Sequence, residues 1–255
     1  MNQYNAFHAT ANNFFSMVSF THVDYENLVA FATGVHASNL NPAIVKRIDP
    51  LLSTSLTACR SFYANKNLPW TLVLPAYLSS DVVEQLLEDH GLELVDKGVA
   101  MAISINDFQF PSIESLLTIK KVEGDLNVWS IPLNHAFEAT PEITDTYTTR
   151  HAQASQENAH LYHFSGFIND TVICSLSLSL CDDHARIDDV ATMPAYQKRG
   201  YATQLMYAAL QHAQRLNTKI CFLEASTDGL SLYKRMGFEQ LFINHYYEPR
   251  GIDVR

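Results

Sequence analysis

Apolar and polar positions alternate with several different periods along the 255 residues. Residues 1–20 are polar with scattered aromatics and show no readable period. Asp24 to Thr33 and Pro42 to Tyr63, the latter interrupted by Pro50, carry apolar residues at helical spacing. Trp70-Thr71-Leu72-Val73-Leu74 predicts a short buried strand closed by Pro75. Ser79-Ser80-Asp81 then opens a helix with Val82, Val83, Leu86 and Leu87 as its core face, and Gly91 ends it as a C-cap. Leu92 to Val95 and Val99 to Ile103 read as a pair of strands. Asn106 to Ser115, with Pro111, reads as a linker.

Beyond the linker the strand signal strengthens. Leu117 to Val122 alternates as a strand, and helices are predicted at about 124–138 and 141–156. His160 to Phe167 alternates, turns at Asn169-Asp170 and continues from Val172 to Leu180. In that second run Leu176, Leu178 and Leu180 share one face, and Ser175, Ser177 and Ser179 share the other. The leucines suit a core, and the serines suit solvent or the wall of a cleft. Arg186 to Thr192 follows as an antiparallel strand after a turn at Cys181–Ala185. Helical spacing resumes after Gly200 with Ala202, Leu205, Met206, Ala209, Ala213 and Leu216 on one face. Lys219 to Glu224 is a buried strand, and a strand–helix–strand unit of this length makes it parallel to 186–192. Ser226 or Thr227 caps a helix to Met236, and Phe238 to Tyr247 is the last strand. The fold class is α/β (α+β): a mixed, mostly antiparallel sheet with helices on both faces.

One junction carries chemistry. The strand end Val190-Ala191-Thr192 is stopped by Pro194, and Gln197-Lys198-Arg199-Gly200 leads straight into a helix. The first N–H groups of a helix have no partner within it and hold the positive end of its dipole. With a glycine and two cations beside them, they form an anion site suited to phosphate. The spacing is neither Gly-x-x-x-x-Gly-Lys-Ser/Thr nor Gly-x-Gly-x-x-Gly.

Gln197-Lys198-Arg199-Gly200-Tyr201-Ala202 resembles the Gln/Arg-x-x-Gly-x-Gly/Ala signature of the GNAT superfamily of acetyl-CoA-dependent N-acyltransferases. Val190-Ala191-Thr192-x-Pro194 upstream, and Leu223-Glu224-Ala225-Ser226 and Leu232-Tyr233-Lys234-Arg235-Met236-Gly237-Phe238 downstream, extend the resemblance over roughly residues 115–250. It implies acetyl-CoA as co-substrate, held at its diphosphate by backbone N–H groups from Lys198 through Tyr201, Ala202 and Thr203, with Gln197 and Arg199 beside it. The pantetheine arm would pair with the strand at Val190 and Thr192, flanking Ala191. A backbone N–H near Val190 would face the thioester oxygen. Tyr233 falls at the general-acid position. For the general base, Asp189 and Glu224 both sit next to strand ends, and the choice stays open; Asp188 should alternate away from Asp189.

The block ending Leu87-Glu88-Asp89-His90-Gly91-Leu92-Glu93 lines up with Tyr233-Lys234-Arg235-Met236-Gly237-Phe238-Glu239, as in an internal repeat. Leu87 stands where the second copy has Tyr233, and Gly34, Gly91 and Gly98 lie in no basic strand–helix turn. Residues 1–110 therefore resemble a degenerate GNAT-like lobe that shapes the substrate cleft, and 111–255 the transferase domain.

Composition narrows the remaining choices. A formal charge of −10 disfavours a nucleic-acid partner and tilts towards a cationic acceptor, a small-molecule or peptide amine. Cys59, Cys174, Cys181 and Cys221 form no Cys-x-x-Cys pair and read as free thiols of a reducing, cytoplasmic compartment. No signal peptide and no apolar run of membrane-spanning length are evident, so no membrane role is expected. The histidines lack ligand spacing, so no metal is expected. A homodimer is one of the self-association states left open. The competing readings are an acyl-CoA sensor without turnover, an enzyme acting on protein N-termini or lysines, and an interaction protein on the same scaffold.

Overall fold

A computed structural model describes residues 2–106, 108–111, 117–158 and 160–251. The chain runs α1 (Gln3–Val18), β1 (Thr21–Asp24), β2 (Leu28–Ala32), β3 (Pro42–Val45), α2 (Leu52–Ala64), β4 (Thr71–Pro75), α3 (Asp81–Asp89) and β5 (Leu92–Ser104). The second half runs β6 (Thr118–Val122), α4 (Asn127–Ala136), α5 (Pro141–Glu157), β7 (Leu161–Ile168), β8 (Thr171–Cys181) and β9 (His184–Thr192). It closes with α6 (Tyr201–Arg215), β10 (Ile220–Ala225), α7 (Leu230–Met236) and β11 (Glu239–Pro249). The predicted linker 106–115 lies largely outside the described residues. No helix among the described residues is long and apolar enough to cross a membrane.

All the strands join one sheet of order β1-β2-β3-β4-β11-β5-β10-β9-β8-β7-β6. The order is pseudo-symmetric about the central β11–β5 pair. On each side a parallel pair, β3–β4 or β9–β10, is continued outwards by antiparallel strands. The units β4–α3–β5 and β10–α7–β11 are the two copies of the suspected repeat. Each helix ends in a left-handed glycine, Gly91 (φ +66°) or Gly237 (φ +97°). Each copy sends its last strand across to the other, so that β11 inserts between β4 and β5. The two lobes thus share a sheet rather than meeting as separate bodies.

Several expectations in the first lobe are corrected. The helix expected at Asp24–Thr33 is the β1–β2 hairpin. Asp24 accepts a hydrogen bond from the Glu26 N–H, Glu26 takes φ +66°, and Leu28–Ala32 is buried on both faces. An all-apolar run of five cannot show the period of 2 that would have marked it as a strand. Pro42–Val45 is likewise a fully buried strand, and only Leu52–Ala64 of the second predicted helix is helical. Residues 3–18, which showed no period, form α1, capped by the Asn2 side chain and burying Phe7, Ala11, Phe14 and Val18. Val82 is 79% exposed, leaving Val83 and Leu87 as the buried positions of α3. The predicted strand pair at 92–103 is the single long strand β5, paired along its length with β11. Ser175, Ser177 and Ser179 are buried, so their face is neither solvent nor cleft wall. Ser175 shares a hydrogen bond with Ser165, and Trp129 of α4 donates to the Leu176 carbonyl between them.

Candidate active site

β9 and β10 pair in parallel only at Ile220↔His184, Cys221↔Ala185 and Phe222↔Arg186. Beyond that point β9 stays with β8 as far as Thr192↔Cys174, and β10 stays with β5 as far as Ala225↔Val99. The sheet therefore opens into a wedge between Ile187–Thr192 and Leu223–Ala225. Its cause is a β-bulge. Ser177 opposes Asp188 and Ser175 opposes Ala191, so that Asp189 and Val190 together face the one residue Leu176. Asp189 takes φ +58°, and the extra residue bends β9 away from its neighbour.

The predicted anion turn lies beyond the end of the bent strand. Met193 N–H donates to Ile173, a short 3₁₀ turn covers Pro194–Tyr196, and α6 begins at Tyr201. Gln197 through Gly200 are exposed. Lys198 (φ +61°) and Gly200 (φ +81°) are both left-handed, a backbone pattern that can aim successive amides into one concavity. Nothing lies within 4 Å of where a Gly200 Cβ would sit. The Gln197 side chain folds back to donate to the Thr192 carbonyl, and the Arg199 guanidinium lies over the Tyr196 ring. Tyr201, Ala202 and Thr203 are half-buried in the first turn of α6, Ala191 is buried, and Val190 packs on the core. Thr192 Oγ1 is buried without a hydrogen-bond partner.

A cavity of about 360 Å³ reaches the inner part of β9 and β10, where Asp188, Asp189, Arg186 and Glu224 line it. The first lobe supplies part of its wall, including Phe7 and His8 of α1 and Ile44 of β3. Arg186, 3% exposed, holds Asp188 through Nε and Nη2 at 3.0 Å, and its Nη1 has no hydrogen-bond partner among the described residues. Asp189 accepts from Tyr147 at 2.8 Å and Ser177 at 2.6 Å. Burial pushes both Asp188 and Asp189 up from 3.8 to about 6, against the opposing pull of Arg186 on each and of the two hydroxyls on Asp189. Glu224 accepts from Asn244 at 2.9 Å and Tyr246 at 2.5 Å. Its carboxylate lies where a Cβ on residue 98 would reach, so Gly98 of β5 leaves room for it.

Both sequence-derived base candidates, Asp189 and Glu224, thus line the cavity. Asp188 does too: simple alternation would have turned it away from Asp189, but the bulge returns both to one face. Arg186 and Tyr147 were not singled out. An arginine two residues before an aspartate on a buried strand was the available signal for Arg186. Tyr233, 7% exposed, packs among Ile187, Leu223 and Met236 beneath the wedge. Its hydroxyl makes no hydrogen bond to the described residues. Burial, with Asp188 adding repulsion, pushes its phenol up to about 12. Gly229 gives its ring space, since a Cβ there would come within 2.8 Å of Cε2.

The turn of the first lobe that corresponds to 193–200 is Lys46–Leu51, between β3 and α2. It is basic but holds no glycine, and its cations are already paired. Lys46 meets Asp24, and Arg47 meets Glu26 and Asp49. Asp49 also accepts from the Leu51 N–H and from Asn27. A carboxylate of the chain itself occupies this helix mouth.

An open helix mouth, a wedge between parallel strands and an acidic cavity at its inner end thus lie in one line. Residues 129–238 match the model of the acetyltransferase (GNAT) family. A GCN5-related N-acetyltransferase from Kribbella flavida superposes with a TM-score of 0.71 over 95% of this chain and 94% of its own, at 17% identity. Another from Sphaerobacter thermophilus gives 0.66 over 87% and 76%, at 15% identity. A tandem GNAT protein from the clavulanic acid biosynthesis pathway gives 0.61 over 87% and 77%, at 13% identity. These likenesses concern the fold, and they extend it across both lobes. No curated protein matches the sequence.

Proposed function

We propose that the protein transfers an acetyl group from acetyl-CoA to a primary amine by direct attack in a ternary complex. The carrying observation is the wedge, with free amides exposed at its outer end and carboxylates gathered at its inner end. In this reading the amides of Lys198 to Thr203 take the diphosphate of the donor, with Arg199 beside them. The edge of β9 that faces the wedge at Val190 and Thr192 takes the pantetheine arm, and the Val190 N–H polarises the thioester carbonyl.

The acceptor enters the cavity as a cation, drawn by Asp188, Asp189 and Glu224, which outnumber the single buried guanidinium. A carboxylate near 6 is suited to remove an ammonium proton at neutral pH while remaining largely ionised beforehand. Asp189 has no cation paired with it in the way that Arg186 pairs Asp188, and we assign it the base role. Glu224, fixed by Asn244 and Tyr246, orients the amine. Tyr233 returns a proton to the departing thiolate. Binding by thermal shift with acetyl-CoA, followed by thiol release across a panel of small and peptide amines, tests this. Thiol release that depends on an amine is expected. Donor binding without release for any amine would make the chain a sensor.

A further inference from the structure

Asp189 is also the end of a buried chain of hydrogen bonds that the proposed chemistry does not use. Ser155 Oγ donates at 2.8 Å to the His151 carbonyl four residues earlier in α5. Its single proton is thereby spent, so the contact at 3.4 Å with His163 Nδ1 requires the histidine to donate. His163 and His151 are both held neutral by burial, pushed down to about 2 and about 3 respectively, so each ring has one N–H. With its proton on Nδ1, His163 presents a bare Nε2 to His151 Nδ1 at 2.8 Å, and His151 must donate there. The proton of His151 is then on Nδ1, and its Nε2 is left as a lone pair. That Nε2 is fully buried, has no hydrogen-bond partner among the described residues, and lies 3.7 Å from Asp189 Oδ2.

We propose that Ser155 and His163 are positioning residues that lock His151 with its Nε2 lone pair towards Asp189, and so set how readily Asp189 takes a proton from the acceptor. The opposite tautomer would place an N–H beside Oδ2, adding a third donor to those from Tyr147 and Ser177 and favouring the carboxylate. The lone pair instead favours the protonated acid. The titratable and charged groups facing Asp189 are Tyr147 and His151 of α5, Asp188 and Arg186 of β9, Glu224 of β10 and His8 of α1. α4 offers Trp129, and β8 offers Ser177. Of these, His151 is the group whose donor or acceptor character is set by the Ser155–His163 chain. The inference rests on the base role assigned to Asp189.

The test is nitrogen-15 NMR of the histidine rings near neutral pH, on wild type and on Ser155→Ala. Wild-type His151 is expected to show an unprotonated Nε2. Ser155→Ala removes the acceptor at the head of the chain and should move the His151 proton to Nε2. The acidic limb of kcat/KM should then fall by about one pH unit with acetyl-CoA affinity unchanged, a shift typical of one added hydrogen bond to a carboxylate. Ser155→Thr, which keeps the hydroxyl, should restore both readings. A protonated Nε2 in wild type, or an unmoved acidic limb in Ser155→Ala, overturns the proposal. If wild type shows no turnover the transferase reading fails by itself, and carbon-13 titration of the Asp189 carboxyl replaces the rate profile.

Discussion

Replacing Tyr233 with Phe separates catalysis from packing because of what its hydroxyl does not do. The ring is 7% exposed in the core beneath the wedge, yet the oxygen has no hydrogen-bond partner among the described residues. Deleting it therefore breaks no hydrogen bond to the described residues and removes a single oxygen atom. The stability change should be within about 0.5 kcal/mol, or roughly 1–2 °C for a chain of this size. The chemical step is different. With the phenol at about 12 and a thiol at its ordinary ~8.5, protonation of the thiolate would be uphill by about 3.5 units, or about 5 kcal/mol. The transfer becomes matched when the sulfur is desolvated in the same wedge. Burial has that effect on Cys174, two strands away, whose thiol rises to about 12. A matched general acid contributes about 10²–10⁴ in rate. Tyr233→Phe should lower kcat by that factor, while acetyl-CoA affinity by titration calorimetry and the melting temperature stay at wild-type values. An unchanged kcat, or a loss of donor affinity equal to the loss of kcat, would refute the general-acid role.

Raised carboxylates also give stability a defined pH dependence. Asp188 and Asp189 bind protons more tightly folded (about 6) than unfolded (3.8), so their contribution is fully present below about 4 and is lost as pH rises through about 6. Asp24, Asp49 and Asp183 are shifted downwards and act at lower pH. His8, His151 and His163, pushed down from 6.5 to about 4, about 3 and about 2, oppose them, because the unfolded chain takes up their protons as pH falls through 6.5 and the folded chain does not. The melting temperature should therefore fall as pH falls from 7.5 to 5, and Asp189→Asn, which removes a contribution that grows over the same range, should steepen that fall; an unchanged slope contradicts the raised Asp189. Gly98→Ala should push the Glu224 carboxylate off Asn244 and Tyr246, with its new Cβ 3.0 Å from Glu224 Cδ. Losing a bond to a charged group, about 1.5–3 kcal/mol, should raise the acceptor KM 10- to 100-fold at constant donor affinity. Unaltered acceptor kinetics would remove Glu224 from the site.

The second half of the chain was readable from sequence because its signals are local. The Asn169-Asp170 hairpin has both residues at positive φ, the α6 face closes on Leu205, Met206 and Ala209, and the parallel β9–β10 crossover follows from connection length. The first lobe was harder because its strands β2 and β3 are buried on both faces and carry no alternation. The insertion of β11 between β4 and β5 is non-local and had no signal in either segment. At the site, Asp189 and Glu224 were identified from their position next to strand ends, and Tyr233 only through the family resemblance. The shared face of Asp188 and Asp189 was not, because alternation is the rule that a bulge breaks. The serine face of β8 misled for a related reason: α4 packs over β8, and the hydroxyls of that face find partners in Ser165 and Asp189.

The account depends on the turn at Gly200 receiving the diphosphate of the donor. Titration calorimetry of acetyl-CoA into wild type, Gly200→Ala and Gly200→Asp tests it most directly. The site has open space for either side chain, and Ala reports the strain of φ +81°, about 1–2 kcal/mol, by itself. Binding should be retained in wild type, weakened modestly by Ala, and weakened at least tenfold further by Asp, whose charge opposes the diphosphate. Equal affinity in Ala and Asp would place the diphosphate elsewhere and contradict the account.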